Sequence, residues 1–158
     1  MKMAQAREAR KDNKGFSLVE LIIVIAIMVA LVAMLAPQFV KYVSKSRDAV
    51  ISSAAEDVLA TAKSDFALLK MDFDGTGAHT ITIGKGSDGT LDVSLSGLKY
   101  RSDDAPTAAW LTGDAASAAF KSMCGVDTGK KTSSTLSYTI TITDAGNGSP
   151  VFAMAPNS

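Results

Sequence analysis

From Phe16 to Val40 the chain holds a single ionisable residue, Glu20, and apart from Ser17 and Gln38 is otherwise apolar. These 25 residues correspond to roughly 37 Å of helix, against a bilayer core about 30 Å thick, so the pattern predicts a membrane-spanning helix over 16–40. Beyond Lys41 the periodicity changes without stopping. Val43, Val50, Ile51, Ala54, Val58, Leu59, Ala62, Phe66 and Leu69 recur at three- and four-residue intervals, the mark of one apolar helical stripe. Lys45, Asp48, Ser52, Glu56, Lys63 and Asp65 fill the other faces, which makes residues 41–71 an amphipathic half. One helix from Phe16 to Lys70, roughly 80 Å long, is expected. Pro37 lies inside it, where its ring removes a backbone donor and clashes with the carbonyl of Ala33, a cost of about 3 kcal/mol or more. A kink or loosened turn is predicted there.

After Lys70 the pattern shortens. Asp72 to Gly77 (DFDGTG) reads as a turn that ends the helix. His79–Ile83 (HTITI) and Thr90–Leu95 (TLDVSL) alternate with β-branched residues and predict a hairpin. Ala115–Met123 suggests a short helix, Thr135–Thr143 (TLSYTITIT) the strongest strand, and Val151–Met154 a returning strand after the turn at 144–150. Three or four antiparallel strands with one apolar face need a cover, and the long helix has the stripe to provide it. The predicted fold class is α+β: a long N-terminal helix packed on a small antiparallel head, residues 72–158. Trp110 and Phe120 are expected in that head's core.

Charge adds direction. Five basic and two acidic residues give the leader, residues 1–15, a formal charge of +3, and the remainder, with 11 basic and 14 acidic residues, carries −3. Basic flanks stay cytoplasmic, so the N-terminus is expected in the cytoplasm and the acidic body outside; Lys41, Lys45 and Arg47 oppose that with three charges against five. Cys124 is the single cysteine, so no intramolecular disulfide can form, and it is expected as a small buried apolar residue.

A secretory signal peptide has a small-residue cleavage site after its apolar stretch. Here the small residue, Gly15, precedes the apolar run, in the order Lys14, Gly15, Phe16, Glu20, Pro37. This arrangement, over Lys14 to about Ser46, resembles the class III signal of type IV prepilins and type II pseudopilins. The resemblance implies cleavage after Gly15, N-methylation of the new N-terminus Phe16 by a prepilin peptidase and methyltransferase, and a role for Glu20 in neutralising the N-terminal amine of an adjacent subunit. Pro37 corresponds to a proline present in many members, in a region that can lose helicity on assembly. Many pilins of Gram-negative bacteria have a C-terminal disulfide loop, from which this chain departs. The expected product is a filament of this chain alone, with a pilus assembly platform and ATPase as indirect partners and membrane lipid as the partner before assembly.

The residues themselves keep alternatives open. A carboxylate at the middle of a membrane helix costs about 2.5 to 3.5 kcal/mol, so Glu20 needs a partner, although four residues into the span it would also reach the headgroups. The apolar faces suit either lipid or neighbouring helices. Asp72, Asp74, Asp144 and Asn147 offer oxygen donors to calcium, as does Asp88, yet the spacing is not that of an EF-hand; they read as turn formers, with no metal and no cofactor expected. One histidine, His79, and no hydrolase, zinc, P-loop or dinucleotide motif speak against an enzyme. Lys121, Lys130 and Lys131 are the head's only basic cluster, so nucleic acid would be met only through a whole filament. The leading expectation is therefore a structural subunit, of major-pilin type, of a surface filament for adhesion, motility or DNA uptake. The alternatives are a pseudopilin of type II secretion or competence and a monomeric membrane-anchored binding domain.

Overall fold

The computed structural model describes residues 15–75, 77–101, 109–126, 132, 134–146 and 149–157. The chain divides into two units, Met1–Lys41 and Tyr42–Ser158. Helix α1 is Leu18–Ala67 and contains Pro37. Its part in the first unit is exposed throughout.

The second unit holds the core. α1 contributes Ile51, Ala54, Ala55, Val58 and Ala62, all buried. After α1 come β1 (Met71–Phe73), β2 (His79–Lys85), β3 (Leu91–Ser96), β4 (Leu98–Tyr100), α2 (Gly113–Met123), β5 (Ser137–Asp144) and β6 (Pro150–Asn157). Four strands form an antiparallel sheet in the order β3-β2-β5-β6, and β1 pairs with β4 in a separate antiparallel ribbon. Alternation decides what each strand buries: Ile81 and Ile83 of β2, Val93 and Leu95 of β3, and Ile140 and Ile142 of β5 face inward with the α1 stripe. Gly97 alone separates β3 from β4. Its φ of +67° is a conformation open to glycine, and a Cβ there would stand 2.6 Å from the Ala78 carbonyl oxygen.

α2 closes one side. Ala116 and Phe120 are fully buried, with Phe120 edge-on to Tyr100 at 5.5 Å. The β3 edge is covered because the Leu95 N–H donates to the Ser117 hydroxyl at 2.9 Å, and Lys121 meets Asp92 at 2.6 Å.

Several expectations require correction. The turn placed at Asp72–Gly77 gives way at its start to β1, whose partner β4 lies 27 positions along the chain in the pairing Asp72↔Lys99; strands of three residues, MDF and LKY, are too short to carry a periodic signal. The expected helix end at Lys70 is Ala67. There the Lys70 N–H reaches the Asp65 carbonyl at 2.8 Å and the Leu69 N–H the Phe66 carbonyl at 3.2 Å, the two bonds of a Schellman end. Leu69 occupies the left-handed position, φ 57°, which glycine ordinarily fills, and so points away from the stripe expected to bury it; Val50 is likewise exposed. Asp65, assigned to a polar face, is only 6% exposed, and its Oδ2 accepts the Tyr100 hydroxyl at 3.1 Å. Trp110, expected in the core, is 37% exposed, with Lys99 and Arg101 against its ring at 4.9 and 4.7 Å.

Two measurements check this architecture by chemical unfolding of the full chain in detergent. Leu69→Gly is expected to raise stability by about 1 kcal/mol, because a left-handed residue with a Cβ costs roughly 1–2 kcal/mol. Burial raises the Asp65 carboxyl above its usual 3.8, with the Tyr100 hydroxyl and Lys70 opposing. A raised carboxyl gives stability that is present at low pH and lost as pH rises through its folded value. Asp65→Asn should therefore gain on the wild type as pH increases from about 3.8, and a difference that stays flat with pH would contradict this.

Candidate functional site

The N-terminal end of α1 is built by two side chains. Ser17 precedes the first helical residue, Leu18, and its hydroxyl accepts the Val19 N–H at 3.3 Å while its carbonyl accepts the Leu21 N–H at 3.2 Å. Three residues on, Glu20 reaches back, its Oε2 accepting the Ser17 N–H at 3.0 Å. This is a capping box, S-x-x-E, in which two orphan donors at the helix start are satisfied locally. The S-x-x-E spacing is legible in the sequence, and the capping role of Ser17 adds to the charge pairing expected of Glu20.

Gly15 and Phe16 lie immediately upstream of the helix, outside any regular element, and Phe16 is 87% exposed. The Glu20 carboxylate is thus bonded to the nitrogen one residue beyond Phe16. Leader residues 1–14 fall outside the described residues. From Leu18 to Val40 every side chain is exposed, among them Leu21, Ile22, Ile25, Met28 and Leu35. α1 is long and apolar enough to cross a membrane, and nothing in its most apolar stretch is buried. Pro37 sits in this exposed part, where the missing N–H deprives the Ala33 carbonyl of its helical partner.

Among the described residues the calcium candidates do not converge. Asp72 pairs with Lys99 at 3.0 Å and accepts its neighbour Phe73 N–H at 2.8 Å; Asp144 accepts the Gly146 N–H at 2.9 Å in the β5–β6 turn. The Asp74 backbone N–H donates to the Gly97 carbonyl at 2.9 Å, and Asn147 lies outside the described residues. Asp88 caps its own turn through both the N–H and hydroxyl of Thr90, which hold its carboxyl below the usual range. Among the described residues no group of three acidic, histidine or cysteine side chains comes together. Of the basic cluster, Lys121 is engaged by Asp92, while Lys130 and Lys131 lie outside the described residues.

Cys124 closes the C-terminal end of α2, its N–H donating to the Phe120 carbonyl at 3.0 Å. It is 8% exposed, and burial, aided by the charge of Asp65, pushes its thiol up to about 12. Since the thiolate is the nucleophile, alkylation by iodoacetamide at pH 8 should be slow in the folded chain and fast in urea. Equal rates would show the thiol exposed.

Residues 10–36 match the family described as the prokaryotic N-terminal methylation motif. No curated protein and no solved structure matches the chain. The matched stretch contains Gly15, Phe16, Ser17 and Glu20, the residues that surround the start of α1, and ends one residue before Pro37. The match covers 27 of the 158 residues and runs into the exposed apolar half of α1; it is the class III signal peptide found in type IV pilins and pseudopilins, and it supports a pilin-like or pseudopilin precursor.

Proposed function

We propose that this chain is a structural subunit, of major-pilin type, of a type IV pilus. In this reading residues 1–15 are a cytoplasmic leader and residues 16–40 the membrane span. A prepilin peptidase cuts after Gly15 and methylates the amine of Phe16. The subunit then leaves the bilayer and polymerises with copies of itself, driven by the assembly platform and its ATPase, with residues 41–71 and the head 72–158 forming the exported part. Its role is mechanical and not catalytic.

The observation that carries the reading is the methylation motif, residues 10–36, running through the start of a helix whose apolar half is wholly exposed. Such a surface requires lipid or other helices, since contiguous apolar patches of this extent are not left to water. Polymerisation exchanges the first for the second. Glu20 supplies the register: cleavage frees a cationic amine on Phe16, and in a low dielectric a carboxylate left unpaired is penalised at every wrong offset. The capping box adds a condition. Glu20 already accepts its own Ser17 N–H at 3.0 Å, and a carboxylate has acceptor capacity for a second donor, so an incoming amine can bind without uncapping the helix.

Glu20→Gln, whose amide oxygen keeps the cap, is expected to insert and be cleaved normally, and Glu20→Val, which removes it, to insert but be cleaved more slowly; filament yield from both falls at least about tenfold, while Gly15→Leu accumulates full-length precursor in the membrane. Intact mass spectrometry of filaments sheared from native cells, beside the membrane fraction, reads all three. A sheared chain beginning at methylated Phe16 supports the pilus subunit. The same processed chain confined to membranes would favour a pseudopilin, and an unprocessed monomer would favour a simple anchored domain.

A further inference from the structure

The four-stranded sheet has two edge strands, β3 and β6. β3 is closed from outside: its Leu95 N–H donates to the Ser117 hydroxyl of α2 at 2.9 Å, and its Asp92 carboxylate is held by Lys121 at 2.6 Å. β6 has no such cover among the described residues. It is eight residues long, PVFAMAPN, with no charged side chain. It pairs with β5 one residue for one, from Ser137↔Asn157 to Asp144↔Pro150, so no bulge bends it away from a neighbour. Val151, Ala153 and Ala155 are exposed on the outer face of the sheet. An uncharged, unbulged edge is a template for a further strand, which charges, bulges, prolines or a covering element ordinarily keep away.

The phase of the β5–β6 ladder decides which donors of β6 point outward. Just past its last strand pair, the Ala145 N–H donates to the Ser149 carbonyl at 3.2 Å. Ala145 and Ser149 are therefore a hydrogen-bonded pair, and bonded and non-bonded pairs alternate along an antiparallel ladder. Counting inward, Val151, Ala153, Ala155 and Asn157 turn their N–H groups to β5, while positions 150, 152, 154 and 156 face the free edge. Pro150 and Pro156 have no N–H to offer there. The open edge thus has donors only at Phe152 and Met154, and neither N–H has a partner among the described residues. On either side of them, an incoming carbonyl would meet a proline ring in place of a hydrogen.

We propose that Pro150 and Pro156 keep a latent strand-pairing surface closed, and that without them β6 would add to the β6 edge of a second copy of this chain. The partner follows from the strand itself. Val151 to Ala155 is apolar and uncharged, the composition of self-pairing segments, so two copies would meet without repulsion. The prolines cut what each copy can donate to the Phe152 and Met154 N–H groups. A ladder that short does not hold, since even a complete two-stranded hairpin is marginal in water. In the filament proposed above copies stand side by side, where an open edge would compete with helix packing. Only that consequence rests on the filament reading; the edge itself belongs to the second unit.

The test compares the full-length chain with its Pro150→Thr/Pro156→Thr variant, in enough zwitterionic detergent that each micelle holds a single chain. Sedimentation velocity reads association, and amide hydrogen exchange reads pairing. The wild type is expected to stay single at every concentration. The double variant is expected to associate as concentration rises, with exchange at Phe152 and Met154 slowed about tenfold or more. Ala153→Lys, added to the double variant at an exposed position, sets like charges against each other across the joined edges and is expected to restore single chains. The Thr141 amide, which bonds to Ala153, reports whether β6 is still in place; if the double variant loses that bond, Pro156→Thr alone, at an exposed position, takes the same test. A folded variant that stays single overturns the proposal. So do association that Ala153→Lys leaves intact, slowed exchange confined to other strands, or wild-type Phe152 and Met154 amides that already exchange as slowly as paired ones.

Discussion

The contact on which the second unit depends is the burial of one short stretch of α1, Ile51 to Asp65, against the inner sides of its strands. Three of its buried residues, Ala54, Ala55 and Ala62, are alanines, and Ile51 and Val58 supply the bulk that joins the core cluster with the isoleucines of β2 and β5. Polar bonds mark both ends of that stretch. Near one end the Ser134 hydroxyl donates to Asp48 at 2.6 Å and accepts the Leu136 N–H at 3.1 Å, which ties the entry of β5 to the helix. At the other, Tyr100 holds Asp65. A fixed rotation of α1 follows: turning it by one residue would bring charged Glu56 or Asp57 inward and remove both bonds. Phe66 extends the contact sideways, with its ring 5.4 Å from Phe73 and 5.6 Å from Phe152.

The long helix, the two central strands and the motif before them were readable because each has a strong local pattern. An apolar run, a 3.6-residue stripe and the TITIT alternation are decided within a dozen residues. What escaped depends on partners distant in sequence. β1 and β4 are strands only because they pair with each other, and the ends of β5 and β6 lengthen because each extends along the other as far as Asp144↔Pro150 and Ser137↔Asn157. Asp65 looked like a surface carboxylate because nothing nearby reveals Tyr100, 35 residues away. Trp110 looked like core by its size, whereas its ring is covered by cationic side chains instead. The candidate site divides the same way. Gly15, Phe16 and Glu20 stand in a local motif, while Asp72, offered as a calcium donor, is taken up by Lys99, a distant partner that nothing local reveals.

The Ser17–Glu20 cap also decides where the backbone stops being helical. Helix growth is cooperative, and an apolar run as strong as residues 18–36 would otherwise extend upstream into the bond between Gly15 and Phe16. Peptidases take their substrates as accessible, non-helical chain. By spending its side chains on the first free N–H groups, the cap leaves residues 15–17 outside the helix, so the proposed scissile bond can enter an active site without unwinding a turn. Because both capping side chains lie downstream of that bond, scission removes neither, and the helix that leaves the enzyme starts at the same residue as the one that arrived.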